Sequence, residues 1–170
     1  MGTQKGVKAK IYLDQGAEPK YIKARAVPYA LRTNVELELK RLEREGIISP
    51  VEFSEWAVPI VPVAKPNGTV RVCGDNKLTV NQVSKLDNYP ILKREDPLAT
   101  LGGGEKFTKL GMSQAYHQMT LDEESRNFTT INTHKGLFHC NRLSFGVSSA
   151  PGIFQRAMEN LLQGIPQVSV

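Results

Sequence analysis

From Thr33 to Glu45 the apolar residues follow a helical repeat: Val35, Leu39 and Leu42 share one face, Thr33 and Glu36 stand at capping-box spacing, and Gly46 follows as a stop. The spacing predicts an amphipathic helix over 33–45, with Glu36 and Lys40 as a favourable i,i+4 pair. The pattern then changes. Ala57 to Ala64 reads AVPIVPVA, β-branched and continuous, while Pro59 and Pro62 each remove a backbone donor, which predicts an edge strand. Asn67-Gly68 in the following KPNGT accepts positive φ easily, so Val70 to Cys73 is expected to fold back as the second arm of a hairpin. Lys65 would sit near its tip and Arg71 on its return arm.

Outside these segments the pattern is weaker. Residues 1–27 carry scattered Lys and Gly around a short apolar patch at Ile11 to Leu13, and are expected to form an extended arm with little fixed structure. After a polar stretch from Asp75 to Lys85, Pro90 and Pro97 allow only a short or broken helix between Asn88 and Leu101, and Gly102 to Gly104 make a flexible break. Three strand-like runs follow, Lys106 to Met112, Phe128 to Asn132 and Leu137 to Leu143, the last two joined by a tight turn at Thr133 to Gly136. Ser148 or Ser149 then caps a final helix with Pro151 in its first turn and Phe154, Met158 and Leu161 on one face. Gln167 to Val170 reads as the first half of a strand.

Composition narrows the classes. The 170 residues, 40% of them hydrophobic, suit one domain or part of a larger one. Net charge is +5, which suits a polyanionic partner and equally an ordinary basic surface. Cys73 and Cys140 lie in no metal-ligand or disulfide-rich spacing, so buried free thiols in an intracellular compartment are expected, with cytoplasm and nucleus both open. The first residues lack the apolar run of a signal peptide, and no stretch reaches the ~18 apolar residues of a membrane span, so no membrane partner is expected. Gly6 stands where a myristoylation motif wants Ser or Thr. Ser113, His117 and Asp122 form no nucleophile motif, and His134, His139 and Cys140 lack zinc spacing.

Four stretches in unbroken order carry a resemblance: LKRLEREGIISPVEFSEWAVPIVPVAKPNGTVRVCGDNKLTVNQ, LDNYPI, FTKLGMSQAYHQMTLDEES and TINTHKGLFHCNRLSFGVSSAPGIFQRAMENLLQGIP. From about Val27 to Val170 the chain resembles the polymerase region of Ty3/gypsy-type retrotransposon polyproteins. The resemblance implies an α+β right-hand polymerase: fingers and a partial palm, with an antiparallel palm sheet backed by helices, cut before the catalytic hairpin. Within one reverse transcriptase domain, 1–27 would be the extended N-terminal arm, 28–104 the fingers-like region and 105–170 the partial palm-like region. The implied activity is RNA-directed DNA polymerisation, with an RNA/DNA template-primer and dNTP as partners and another protein chain as a further one. Two Mg²⁺ ions would be held by one Asp at the end of the first palm strand and an Asp-Asp pair in a later hairpin.

By matched position, Lys65 and Arg71 would face the triphosphate of the incoming nucleotide, Arg as a fork for phosphate oxygens and Lys as a point charge. Tyr116 would be an aromatic gate against a ribose 2′-hydroxyl, and Phe145 and Gly146 would form the loop near the sugar and template base. Asp75 would serve fingers packing or a polar contact near the template. Read without the resemblance, the same residues suit a solvated hairpin face, a half-buried aromatic and a core Phe at a turn.

The departures are specific. FTKL is followed by Gly111, which occupies the first catalytic Asp position, and Glu105 and Asp122 are too displaced to stand in. The chain contains no Asp-Asp pair. It is therefore expected to hold Mg²⁺ poorly and to be catalytically incompetent alone, with no catalytic residue of its own. Ser144, Pro97 and Gly152 also depart from the family pattern, suggesting a decayed or repurposed copy. Two other readings stand beside this one: an active polymerase whose missing ligands come from an adjoining chain or an unseen continuation, and a non-enzymatic nucleic-acid- or protein-binding module derived from the element. Half a palm sheet would also leave an unpaired strand edge and an uncovered apolar face.

Overall fold

The computed structural model describes residues 2–4, 6–87, 89–91, 102–166 and 168–169. The first helix, α1 (Tyr29–Arg44), starts a turn earlier than its periodicity predicts, because Pro28 enters with its ring-held φ at −51°. Thr33 therefore lies inside the helix and no capping box forms. Glu36 turns to His134 Nε2 at 3.1 Å and Lys135 Nζ at 3.4 Å, across to another element, in place of the expected pair with Lys40. Gly46 supplies the stop at φ +67°. Val35, Leu39 and Leu42 are buried as the pattern requires.

Those three side chains meet a five-stranded sheet of β2 (Ile48–Val51), β3 (Val58–Ala64), β4 (Val70–Gly74), β6 (Ile131–Thr133) and β7 (Gly136–Cys140), in the order β2-β7-β6-β3-β4. Neighbours are antiparallel except β3 and β6, which run parallel over Val58 and Pro59. The strands come from both 28–104 and 105–170. The hairpin of β3 and β4 forms as its turn residues predict, with Gly68 at φ +78° and Lys65 bonded through its N–H to the Thr69 carbonyl at 2.8 Å.

β3 is an interior strand at its start, contrary to the edge position its prolines suggest. The Pro59 carbonyl accepts from Asp75 N–H at 2.9 Å, and Lys65 donates to Thr69, so odd positions of β3 carry the bonds to β4. Pro62 pairs with Val72 in the alternate register, where β4 asks for no N–H. The β6 ladder stops at Pro59, so Pro62 interrupts nothing on that side, and Pro59 forgoes only the return bond to Asp75, just past the end of β4.

The arm is also more ordered than expected. Ala9 and Ile11 point inward, with Leu13 partly buried, while Lys8, Lys10 and Tyr12 point out, a strand alternation too short to stand out beside Gly and Lys. β1 (Lys8–Ala9) pairs in parallel with β5 (Thr120–Leu121), and Ile11 N–H donates to Ser125 Oγ at 2.8 Å. Further on, Tyr21 bridges to Ala57 and Arg25 forms an ion pair with Asp75 at 2.8 Å.

Three other expectations are corrected. Lys106 to Met112 is not a strand: Phe107 and Leu110 are exposed and no neighbouring strand supplies ladder partners among the described residues. Phe128 ends α3 (Glu123–Phe128), capped by Asp122 Oδ1 accepting from Ser125 N–H at 3.0 Å, and the strand starts only at Ile131. The strand expected over Leu137 to Leu143 is β7, which ends at Cys140. The last helix, α4 (Ala150–Leu162), has Pro151 in its first turn and buries Ala150, Ala157 and Met158, but Leu161 is exposed beyond the contact area. Gly152 on this helix lies under Asp87, whose carbonyl would be 2.8 Å from an added Cβ. Asp87 in turn bonds Arg156 and Tyr89 bonds Glu159, fastening both residues to α4. Most of Asn88 to Leu101, with its expected broken helix, lies outside the described residues, as do Gln167 and Val170 of the expected last strand.

Candidate nucleotide-binding site

The register of the hairpin decides which side chains reach the site. Val63 lies opposite Arg71, so these two share a face with Val61, Cys73 and, by alternation, Lys65. Val70 and Ile60 point the other way into the core beneath α1. Arg71 is thereby aimed at the ring of Phe145, with its guanidinium carbon 5.6 Å from the centroid, a cation–π distance. Lys65 sits one alternation further along the same face, roughly 7 Å away along the strand.

Phe145 is the centre of an aromatic group drawn from three parts of the chain. Tyr116 lies 5.0 Å from it, His117 5.3 Å in an edge contact, and Phe154 of α4 packs edge-on against Tyr116 at 5.4 Å. Tyr116 and His117 come from a 3₁₀ turn, Ala115–Gln118, entered through Gln114 in the left-handed region at φ 48°. The Gln114 side-chain oxygen meets His117 Nδ1 at 2.9 Å. Gly146 has φ +89° and passes close to β4, its Cβ direction 3.6 Å from the Gly74 carbonyl. Arg71, Tyr116, Phe145 and Gly146 are therefore brought together, and Lys65 stands beside them on the hairpin. Asp75 is engaged by Arg25. Sequence reasoning did not select His117, Phe154 or Arg25; the apolar face of α4 was the only signal for Phe154.

Behind Phe145 a small cavity is lined by Leu42, Ile48, Cys73, His117 and Cys140. Cys140 is buried and Cys73 half-buried, and burial pushes both thiols up. Burial, with the positive charges of Arg41 and Arg142 behind it and Glu38 opposing, pushes His117 from 6.5 down to about 4. A base whose folded pKa is depressed stays neutral in the fold, while the unfolded chain takes up a proton at higher pH. Stability is therefore full above about pH 6.5 and falls as pH drops toward 4, by up to about 3 kcal/mol at ~1.4 kcal/mol per pH unit. Denaturant unfolding of the native chain and of His117→Phe between pH 4 and 7 measures this, and the substitution is expected to flatten that part of the profile.

Gly111 lies apart from this group on an exposed stretch, and an added Cβ there meets nothing within 4 Å. Space does not exclude an aspartate; the residue simply offers no carboxylate. Among the described residues no group of three or more His, Cys, Asp or Glu is placed to hold a metal ion, so these residues do not fit the paired Mg²⁺ expected from the resemblance. No helix among them is long and apolar enough to cross a membrane.

The hairpin cations and the aromatic turn thus share one surface, and comparison with known proteins gives the family of the fold. The family model described as reverse transcriptase (RNA-dependent DNA polymerase) matches residues 63–170. The chain belongs to the reverse transcriptase family, whose members generally use a divalent metal. It is 35% identical over 169 residues to the retrovirus-related Pol polyprotein from transposon opus of Drosophila melanogaster, covering 96% of this chain and 16% of that protein. The corresponding polyprotein from transposon gypsy of the same organism is 34% identical over 152 residues, covering 86% and 14%. The chain thus spans about a sixth or less of these relatives. The foamy viral protease-reverse transcriptase in complex with an RNA/DNA hybrid superposes with a TM-score of 0.79 at 20% identity, over 99% of this chain and 22% of that one, which shows a shared fold.

Proposed function

We propose that this chain is the nucleotide- and template-facing part of a retroelement reverse transcriptase, and that it binds template-primer and dNTP without catalysing nucleotidyl transfer. The observation that carries the binding half is the convergence of Arg71, Phe145 and Tyr116, from β4, the loop before α4 and the 3₁₀ turn, on one aromatic surface edged by a cation. Such a surface suits a nucleotide: a flat ring group for base and sugar, and a guanidinium and an ammonium for phosphates. The net charge of +5 and the hybrid bound to a protein of the same fold support the same partner. The catalytic half rests on Gly111, because a hard divalent ion is best held by carboxylate oxygens and glycine brings no side chain at the position where the family pattern has its first aspartate.

Affinity for a template-primer is expected to fall linearly on a log–log plot against salt. Lys65→Ala and Arg71→Ala should each reduce the slope by about one, the effect of one lost phosphate contact. Fluorescence anisotropy of a labelled hybrid across a salt series measures it. Binding that ignores salt, or slopes untouched by both substitutions, would count against a phosphate-reading site.

A further inference from the structure

The loop that carries Phe145 and Gly146 lies outside any strand or helix, so something else must hold it. That hold comes from α2 (Val80–Val83), a single turn whose sequence gives no hint of it. Asn81 Nδ2 donates to the Gly146 carbonyl at 2.7 Å, and Asn81 Oδ1 accepts from the Ser148 N–H at 2.9 Å. One planar amide thus satisfies an acceptor and a donor two residues apart, a geometry that fixes the loop in both position and twist. Ser84 Oγ meets Ser148 Oγ at 3.1 Å just beyond. α2 is itself held by the arm: Asp14 N–H donates to the Val83 carbonyl and Lys85 N–H to the Tyr12 carbonyl, each at 2.8 Å, around a bridge between Leu13 and Ser84.

We propose that Asn81 is a positioning residue for the nucleotide site. It fixes the Phe145–Gly146 loop, and through Phe145 the spacing of the surface shared with Tyr116 and Arg71. That spacing sets how well the site separates a deoxyribose from a ribose on a nucleoside triphosphate. The role in loop geometry stands on the hydrogen bonds; the role in sugar choice rests on the binding function proposed above.

Asn81→Ala removes both bonds, whereas Asn81→Asp keeps the acceptor for Ser148 and loses the donor to Gly146. In Asn81→Ala the amide resonances of Gly146 and Val147 and the ring resonances of Tyr116 are expected to move, while those of the Thr133 to Gly136 turn, at the end of β7 away from the cavity behind Phe145, stay in place. The preference for dATP over ATP, read as a ratio of Kd values, should shrink about tenfold, the scale of one to two hydrogen bonds, with Asn81→Asp in between. Unmoved resonances in the folded Asn81→Ala chain overturn the proposal, and so does an unchanged ratio in a chain whose native form shows a preference. Should the native chain bind neither triphosphate, the binding function fails on its own account, and the resonances alone decide whether Asn81 holds the loop. If Asn81→Ala does not fold, Asn81→Asp carries the same comparison.

Discussion

Replacing Ile11 with alanine is expected to destabilise the chain by about 2–5 kcal/mol, the usual cost of cutting a buried isoleucine to a methyl stub. Ile11 is 1% exposed, although it belongs to a segment that reads as a loose arm. Its side chain joins the same core as Met119, Leu121 and Leu143, and its N–H is spent on the buried Ser125 hydroxyl. Removing the side chain opens a cavity under β1 and β5 that backbone bonds on both sides keep from collapsing. Tyr12, the next residue, is 58% exposed, and Tyr12→Ala should stay within about 0.5 kcal/mol. Equilibrium unfolding in urea compares the two: a large fall in midpoint for Ile11→Ala alone establishes the arm as part of the fold, and equal small effects would return it to the status of a tether.

Strong local signals translated directly. The 3.6-residue spacing of Val35, Leu39 and Leu42 and the Asn67-Gly68 turn needed no distant partner to be read, and both formed. Elements that depend on pairing were harder. Lys106 to Met112 has the composition of a strand, but a strand exists only where a neighbour completes its hydrogen bonds. The opposite error hid α3: Asp122, with Glu123 and Glu124 after it, is a readable cap and acidic first turn, passed over because the β-favouring Phe128-Thr129-Thr130 follows. The arm was missed for a third reason. Its inward residues are few and scattered, Ala9, Ile11, Leu13 and Val27, and the segments that the first three meet lie more than 70 positions away in sequence.

The candidate site shows the same division. Lys65 and Arg71 follow from a two-residue turn and strand alternation, so their shared face is a local consequence of the hairpin. That Arg71 should lie over Phe145, and Phe145 against Tyr116, depends on the sheet order and on Asn81, neither of which periodicity encodes. Gly111 came from the matched motif alone; composition and spacing are silent about an absent carboxylate.

Templated primer extension tests the central claim most directly. The polypeptide carrying residues 1–170 is incubated with a labelled primer on RNA and on DNA templates, all four dNTPs and Mg²⁺, with template-primer binding measured in the same samples. Binding without template-directed product is the expected result, since loss of one catalytic group alone typically costs about 10²- to 10⁴-fold in rate. Template-directed product made with Gly111 in place would contradict it, and would mean that another group supplies the missing ligand.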